Sequence, residues 1–145
     1  MLKSPVRRSA RLLNIAGLMF SAAVSALAAT PTQLVISGPV APVAGTCNAM
    51  QVTAEDSHGV PAPVAANTTV TLSGRVVGSL FTGIFSDAAC KQATVTVVLP
   101  GGSTKATFYF SDKFQQQVKL SAAAPKLAKG TLAVKVMPAS PSNLS

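Results

Sequence analysis

Four consecutive residues, Glu55-Asp56-Ser57-His58, carry two carboxylates, a hydroxyl and the chain's one imidazole. These are the groups of nucleophilic hydrolysis, in which an imidazole takes the hydroxyl proton and a carboxylate orients the imidazole. Their spacing argues against that chemistry. Triad members converge on one point from distant segments, whereas consecutive residues in a turn fan outward. Gly59 follows at once, so Asp56 to Gly59 reads as an exposed turn with His58 on it, and no catalytic residue is assigned. Asp56, Asp87 and Asp112 could share an oxygen-rich loop cluster suited to Ca²⁺. Each also stands in a turn, where a carboxylate more often caps backbone N–H groups. No metal and no cofactor is therefore expected.

Cys47 and Cys90 are the two cysteines. Two thiols cannot complete a structural zinc site, His58 has no usable spacing to either, and a Cys-x-x-Cys redox pair is absent. In an exported chain, two cysteines are most simply a disulfide. A Cys47–Cys90 bridge closes a loop of about 43 residues, worth roughly 4 kcal/mol in the chain-entropy model.

Export is read from the first 28 positions. Met1 to Arg11 is basic, Leu12 to Leu27 is apolar apart from Asn14 and two serines, and Ala26-Leu27-Ala28 supplies small residues at −3 and −1. That is a Sec-type signal peptide over 1–28, with cleavage after Ala28 and a secreted or periplasmic product. The apolar run is shorter than the ~20 residues of a membrane span, and no stop-transfer segment follows, so no stable span is expected after cleavage. Arg7-Arg8 lacks the apolar residues that follow a twin-Arg motif, and no lipoprotein cysteine follows the apolar run.

The formal charge of +8 at first suggests a nucleic-acid partner. Four of the twelve basic residues, Lys3, Arg7, Arg8 and Arg11, belong to the leader. The other eight stand singly along the chain against four acids, a net charge of about +4. With no Trp, one Tyr and no basic run interleaved with aromatics, nucleic-acid binding loses its support. Only a weak affinity for anionic surfaces is left open by this distribution.

The elements that would carry these residues are strands. Charged residues make up 11% of the chain, too few for amphipathic helices, and period-two alternation recurs between Gly/Pro turns. Leu34-Val35-Ile36 opens an edge strand, and Pro39 to Val43, with two prolines, suits an edge or a sheet-switching kink. Met50, Val52 and Ala54 share one face. Cys47 has the opposite parity, which places it before the regular strand or across a bulge. Pro61 and Pro63 keep their segment extended but unpaired. Val70 and Leu72 point inward, and Gly74 to Asp87 folds loosely over the sandwich end. Val95, Val97 and Leu99 alternate inward, Pro100-Gly101-Gly102-Ser103 turns, and Ala106, Phe108 and Phe110 complete a hairpin. Val118, Leu120 and Ala122, then Leu132, Val134 and Val136, form the last inward faces. About seven to eight such strands make an all-β, antiparallel, Greek-key sandwich of immunoglobulin-like type over 29–138, with 139–145 a disordered tail.

Ala44-Gly45-Thr46-Cys47, Val52 through Asp56, Gly59, Pro61, Thr69-Val70-Thr71-Leu72-Ser73 and Phe85-Ser86-Asp87-Ala88-Ala89-Cys90 resemble a bacterial Ig-like repeat. Gly102-Ser103, Ala106 through Asp112, and Leu120-Ser121-Ala122 continue the likeness. The chain is similar to the modules of invasin and intimin type adhesins, and looks closest to those in large secreted myxobacterial-type proteins. The resemblance covers about Thr32 to Pro138. It implies a paired Cys47–Cys90, no catalytic residues, and an adhesive or structural role with an unknown protein or glycan as partner. The Val60–Asn67 and Gly74–Asp87 segments are the expected contact surfaces. An envelope chaperone or inhibitor working through an exposed strand edge is the alternative.

Overall fold

Alternating β-branched and aromatic residues form strands wherever one face can be buried. A computed structural model of the chain describes residues 29–76, 79–81 and 83–140 and contains nine such strands. They are β1 (Gln33–Ser37), β2 (Asn48–Glu55), β3 (Thr68–Val76), β4 (Ser79–Phe81), β5 (Ile84–Phe85), β6 (Thr96–Leu99), β7 (Lys105–Phe110), β8 (Gln117–Ala124) and β9 (Leu127–Lys135). The expected signal peptide over 1–28 and residues 141–145 of the expected 139–145 tail lie outside the described residues.

Two sheets face each other. In the first, β1 pairs β2, β2 pairs β7, and β7 pairs β5, all antiparallel. In the second, β9 pairs β8 and β8 pairs β3, with β4 and β6 also on β3, again antiparallel. The inner face of the first sheet supplies Leu34, Ile36, Met50, Val52, Ala54, Ile84, Phe108 and Phe110, all buried. The second supplies Val70, Leu72, Leu99, Val118, Leu120, Ala122, Val134 and Val136. Each fully buried Leu, Val or Phe contributes about 1.5–3 kcal/mol relative to exposure, so this shared core is what fixes the sandwich.

Both lateral seams are closed by a segment that changes sheets. On one side, β1 carries β2 on one flank and meets β9 in parallel at Gln33↔Ala128 on the other, so it is not an edge strand. Gly130 permits this approach. A Cβ there would stand 2.8 Å from the Leu34 carbonyl carbon and closer still to its oxygen. Past Gly38-Pro39 the chain leaves β2 and follows the end of β9: Lys135 N–H donates to Val40 O, and Met137 N–H to Pro42 O. The proline-rich stretch is the expected kink between sheets.

On the opposite side the switch overturns the hairpin expected across Pro100–Ser103. Thr94 N–H donates to Ile84 O and Ala93 bridges Phe85, extending the first sheet. Two residues later β6 pairs with β3 of the second sheet. The Thr94 hydroxyl accepts the Thr96 N–H at 3.2 Å and donates to Thr96 O at 3.0 Å, fastening the corner. Alternation slips at such a bend. Val95, expected inward, is 67% exposed, while Leu99 is fully buried. β6 and β7 therefore belong to different sheets, and the glycine turn is a crossover. Its N–H groups go to the proline segment: Gly102 N–H donates to Val64 O and Gly101 N–H to Asn67 Oδ1.

That segment is not unpaired as the prolines suggest. Ala62 N–H donates to Ala54 O and Val64 N–H to Ser103 O, and both side chains are buried. Proline removes only its own donor; the residues between the prolines keep theirs.

Candidate functional site

The Glu55–His58 group folds as a turn and not as a catalytic constellation. Asp56 Oδ1 accepts the N–H groups of Val60 at 3.0 Å and His58 at 2.8 Å, and these bonds hold its carboxyl below the ordinary aspartate range. Gly59, at φ 80°, closes the loop. Ser57 Oγ lies 3.5 Å from His58 Nδ1, and both side chains are exposed. The Glu55 carboxylate instead receives the Gln33 side chain at 3.4 Å. The acid that would orient the imidazole is thus spent on the backbone.

The other aspartates do the same local work. Asp87 Oδ1 accepts the Gln92 and Lys91 N–H groups at 2.8 and 2.9 Å, lowering its pKa, chiefly through Gln92. The turn it caps carries Cys90 at φ 54°, a left-handed conformation that local hydrogen bonding must support. Cys90 is bonded to Cys47, which precedes β2, one of the two placements its parity allows. The disulfide therefore ties the β5 turn to the start of β2. Asp112 is buried, and its carboxylate accepts the Phe114 N–H at 3.0 Å and the Gln116 side chain at 2.6 Å. Among the described residues no three His, Cys, Asp or Glu side chains come together as a metal site.

What the fold does assemble is a basic face. On the outer surface of the second sheet, Arg75 of β3 stands directly opposite Lys119 of β8, and Lys119 opposite Ala133 of β9. Lys135, paired with Gln117, is the diagonal neighbour of Lys119, and Lys129 lies further along β9. All four cations are exposed. The adjacent row is hydroxylic: Ser73 opposes Ser121, which opposes Thr131. Thr69, Thr71 and Thr96 continue the hydroxylic surface toward β6, where Val98, opposite Thr69, adds an exposed apolar side chain. A shallow depression of about 280 Å³ is lined by Arg75, Gln117, Val118, Lys119 and Ala133. Strands β3, β4, β6, β8 and β9 contain no Asp or Glu.

Basic residues that stand singly in the sequence are gathered by strand pairing. The four other cations of residues 29–145, Lys91, Lys105, Lys113 and Lys126, equal the four acids in number. The net charge of about +4 thus resides on this one face. A signal was present in the sequence: Arg75, Lys119, Lys129 and Lys135 all fall on the outward parity of acid-free strands. What was missing was which strands are neighbours.

The expected contact segments are less open than their composition suggests. In Val60–Asn67, Val60 is exposed, but Ala62 and Val64 are core. In Gly74–Asp87, Gly74 pairs with Phe81 in the β3–β4 ladder and Ile84 is buried. Part of that stretch lies outside the described residues.

No protein-family model matches the chain, and no curated protein does. Solved structures match by fold. A glycosyl hydrolase family 2 member from Bacteroides cellulosilyticus superposes at TM-score 0.56 and 15% identity, over 74% of this chain and 15% of that one. The β-glucuronidase of Parabacteroides merdae gives TM-score 0.53 and 14% identity, over 76% of this chain and 13% of that one. The CARDB domain of the PF1109 protein from Pyrococcus furiosus is matched over 86% of its length and 72% of this chain, at 16% identity and TM-score 0.44. The chain thus spans under a sixth of the glycosidases it resembles, the extent of one domain. No helix among the described residues is long and apolar enough to cross a membrane. Pairing, core and structural likeness agree on the architecture: an all-β, immunoglobulin-like sandwich stapled by Cys47–Cys90.

Proposed function

We propose that this chain is a non-catalytic module of the cell envelope or extracellular space, a structural or adhesive unit of the bacterial Ig-like repeat kind. The observation that carries the reading is the parallel contact of the first and last strands. With β1 and β9 running the same way, the chain enters the sandwich at one pole, near Thr32, and leaves at the other, past Met137. A unit with ends at opposite poles transmits position along a chain, as a spacer or presenting module must. The disulfide suits an oxidising compartment, and the carboxylates serve turns. The domain-sized likeness to part of a glycosidase is compatible with a module that accompanies larger secreted proteins.

Saturable co-sedimentation of the purified protein with native envelope fragments or extracellular polymer is the expected result. Turnover of a substrate that disappears in His58→Ala would overturn the reading. Working through a strand edge, the alternative, finds little to use. Among the described residues the strand order ends at β4 with three residues and at β5 with two, and the four-residue β6 pairs only with β3, so the open edges are short.

A further inference from the structure

We infer that the outer face of the β3–β8–β9 sheet is a docking surface for an anionic polysaccharide, one whose repeating units carry carboxylate or sulfate groups. The inference rests on the module reading and adds the chemical class of its partner.

Charge complementarity carries the first step. Arg75 and Lys119 are direct cross-strand neighbours, a like-charge placement that disfavours the sheet by itself. Lys135 sits one diagonal away. No carboxylate lies on these strands to relieve the repulsion. An anionic group seated in the depression between Arg75, Lys119 and Gln117 would be bound by charge-assisted hydrogen bonds, and the arginine fork fits a carboxylate or sulfate edge.

Geometry carries the second. The charged row Arg75–Lys119 and the hydroxyl row Ser73–Ser121–Thr131 run side by side across the strands, two residues or about 7 Å apart. A polymer lying across the sheet would present its anionic groups to the first row and its hydroxyls to the second. Lys129, six residues from Lys135 on β9, stands about 20 Å away and offers a second charged contact.

The surface chemistry selects the class. The three strands carry no aromatic residue on this face, so unstacked bases have nothing to stack on. Their outward side chains are Thr, Ser, Gln, Ala, Lys and Arg, with no bulky apolar group to enter a bilayer. A hydroxylic sheet surface with cations suits a hydrated, flexible, polyanionic chain.

The test is affinity electrophoresis of the purified protein through gels containing sodium alginate, a polyuronate, or neutral dextran. Alginate should retard the protein at low salt, dextran should not, and added salt should abolish the retardation. The double variant Arg75→Gln/Lys119→Gln should bind alginate at least about tenfold more weakly. The charge-matched variant Lys105→Gln/Lys126→Gln should stay within about twofold, both variants still unfolding in one cooperative transition that is not lower than the parent's. Equal losses in the two variants, no retardation, or binding to phosphatidylglycerol vesicles or duplex DNA as strong as to alginate would overturn the proposal. If alginate binding fails while envelope fragments still sediment the protein, the polysaccharide assignment falls and the module reading stands.

Discussion

The two outer faces of the sandwich follow the same pleat and end with opposite character. On the first sheet, Gln51, Thr53 and Glu55 of β2 lie beside Lys105, Thr107 and Tyr109 of β7, and Tyr109 pairs with Phe85. One acid, one base and an aromatic pair share that surface. The second sheet shows four cations, a hydroxyl row, and neither acid nor aromatic on β3, β8 and β9. The inner faces are alike, both aliphatic with phenylalanine added on the first. Core burial asks only for an apolar inward parity, so it cannot explain the contrast outside. The charge asymmetry is a property of the outward residues alone, independent of what the core requires.

Removing the staple should break the comparison most. Cys47→Ala/Cys90→Ala should lower stability by about 4 kcal/mol, read from urea unfolding, with a steeper slope because the unlinked chain exposes more surface when unfolded. The loss should concentrate on the first sheet, because the bridge ties the β5 turn to β2. Amide exchange at Ile84, Ser86 and Thr94 should accelerate more than at Leu120 or Val134. Next comes the seam where the sheets meet. Gly130→Ala would press a methyl into the Leu34 backbone and should cost about 2 kcal/mol, measured by thermal unfolding.

The faces themselves should respond in opposite senses and more weakly. Arg75→Gln relieves a like-charge pair and should raise stability by up to about 1 kcal/mol, more at low salt than at high. Lys105→Gln, opposite Thr53 on the mixed face, should change it by under about 0.5 kcal/mol. A gain at Lys105 equal to that at Arg75 would remove the distinction. The smallest effect concerns acid. The Asp56 and Asp87 pKa values are depressed below the ordinary value of 3.8. Their contribution is therefore present above about pH 4 and is lost as pH falls through the lowered folded values. Asp87→Asn should flatten the stability profile below pH 4 in equilibrium unfolding, leaving the profile above pH 5 parallel to the parent's. Both carboxylates belong to turns of the first sheet, so acid should loosen that sheet first.

Much of the fold was legible because strand parity is local. Met50-Val52-Ala54, Phe108-Phe110, Val118-Leu120-Ala122 and Val134-Val136 declare their inward faces within a few residues, and all are buried. Turns were legible for the same reason: Asp56 to Gly59 holds its bonds within five residues. The misreadings lie where a strand changes partners. Val95 fits the alternation of Val97 and Leu99 until the corner at Thr94–Thr96 turns it outward. Ala62 and Val64 were hidden by flanking prolines, whose missing donors say nothing about their neighbours'.

The amino-acid order by itself determined the strands, their inward residues, the turn-capping aspartates and the cysteines available to pair. Only the tertiary structure decided that Pro100–Ser103 crosses between sheets, that β1 and β9 run in parallel, and that Arg75 and Lys119 face each other. The physical reason is range. Parity and capping are settled by residues a few positions apart, whereas Arg75 and Lys119 meet across 44 positions through a hydrogen-bonded ladder. The sandwich with its Cys47–Cys90 staple is thus written locally, while the charged face is a product of strand order.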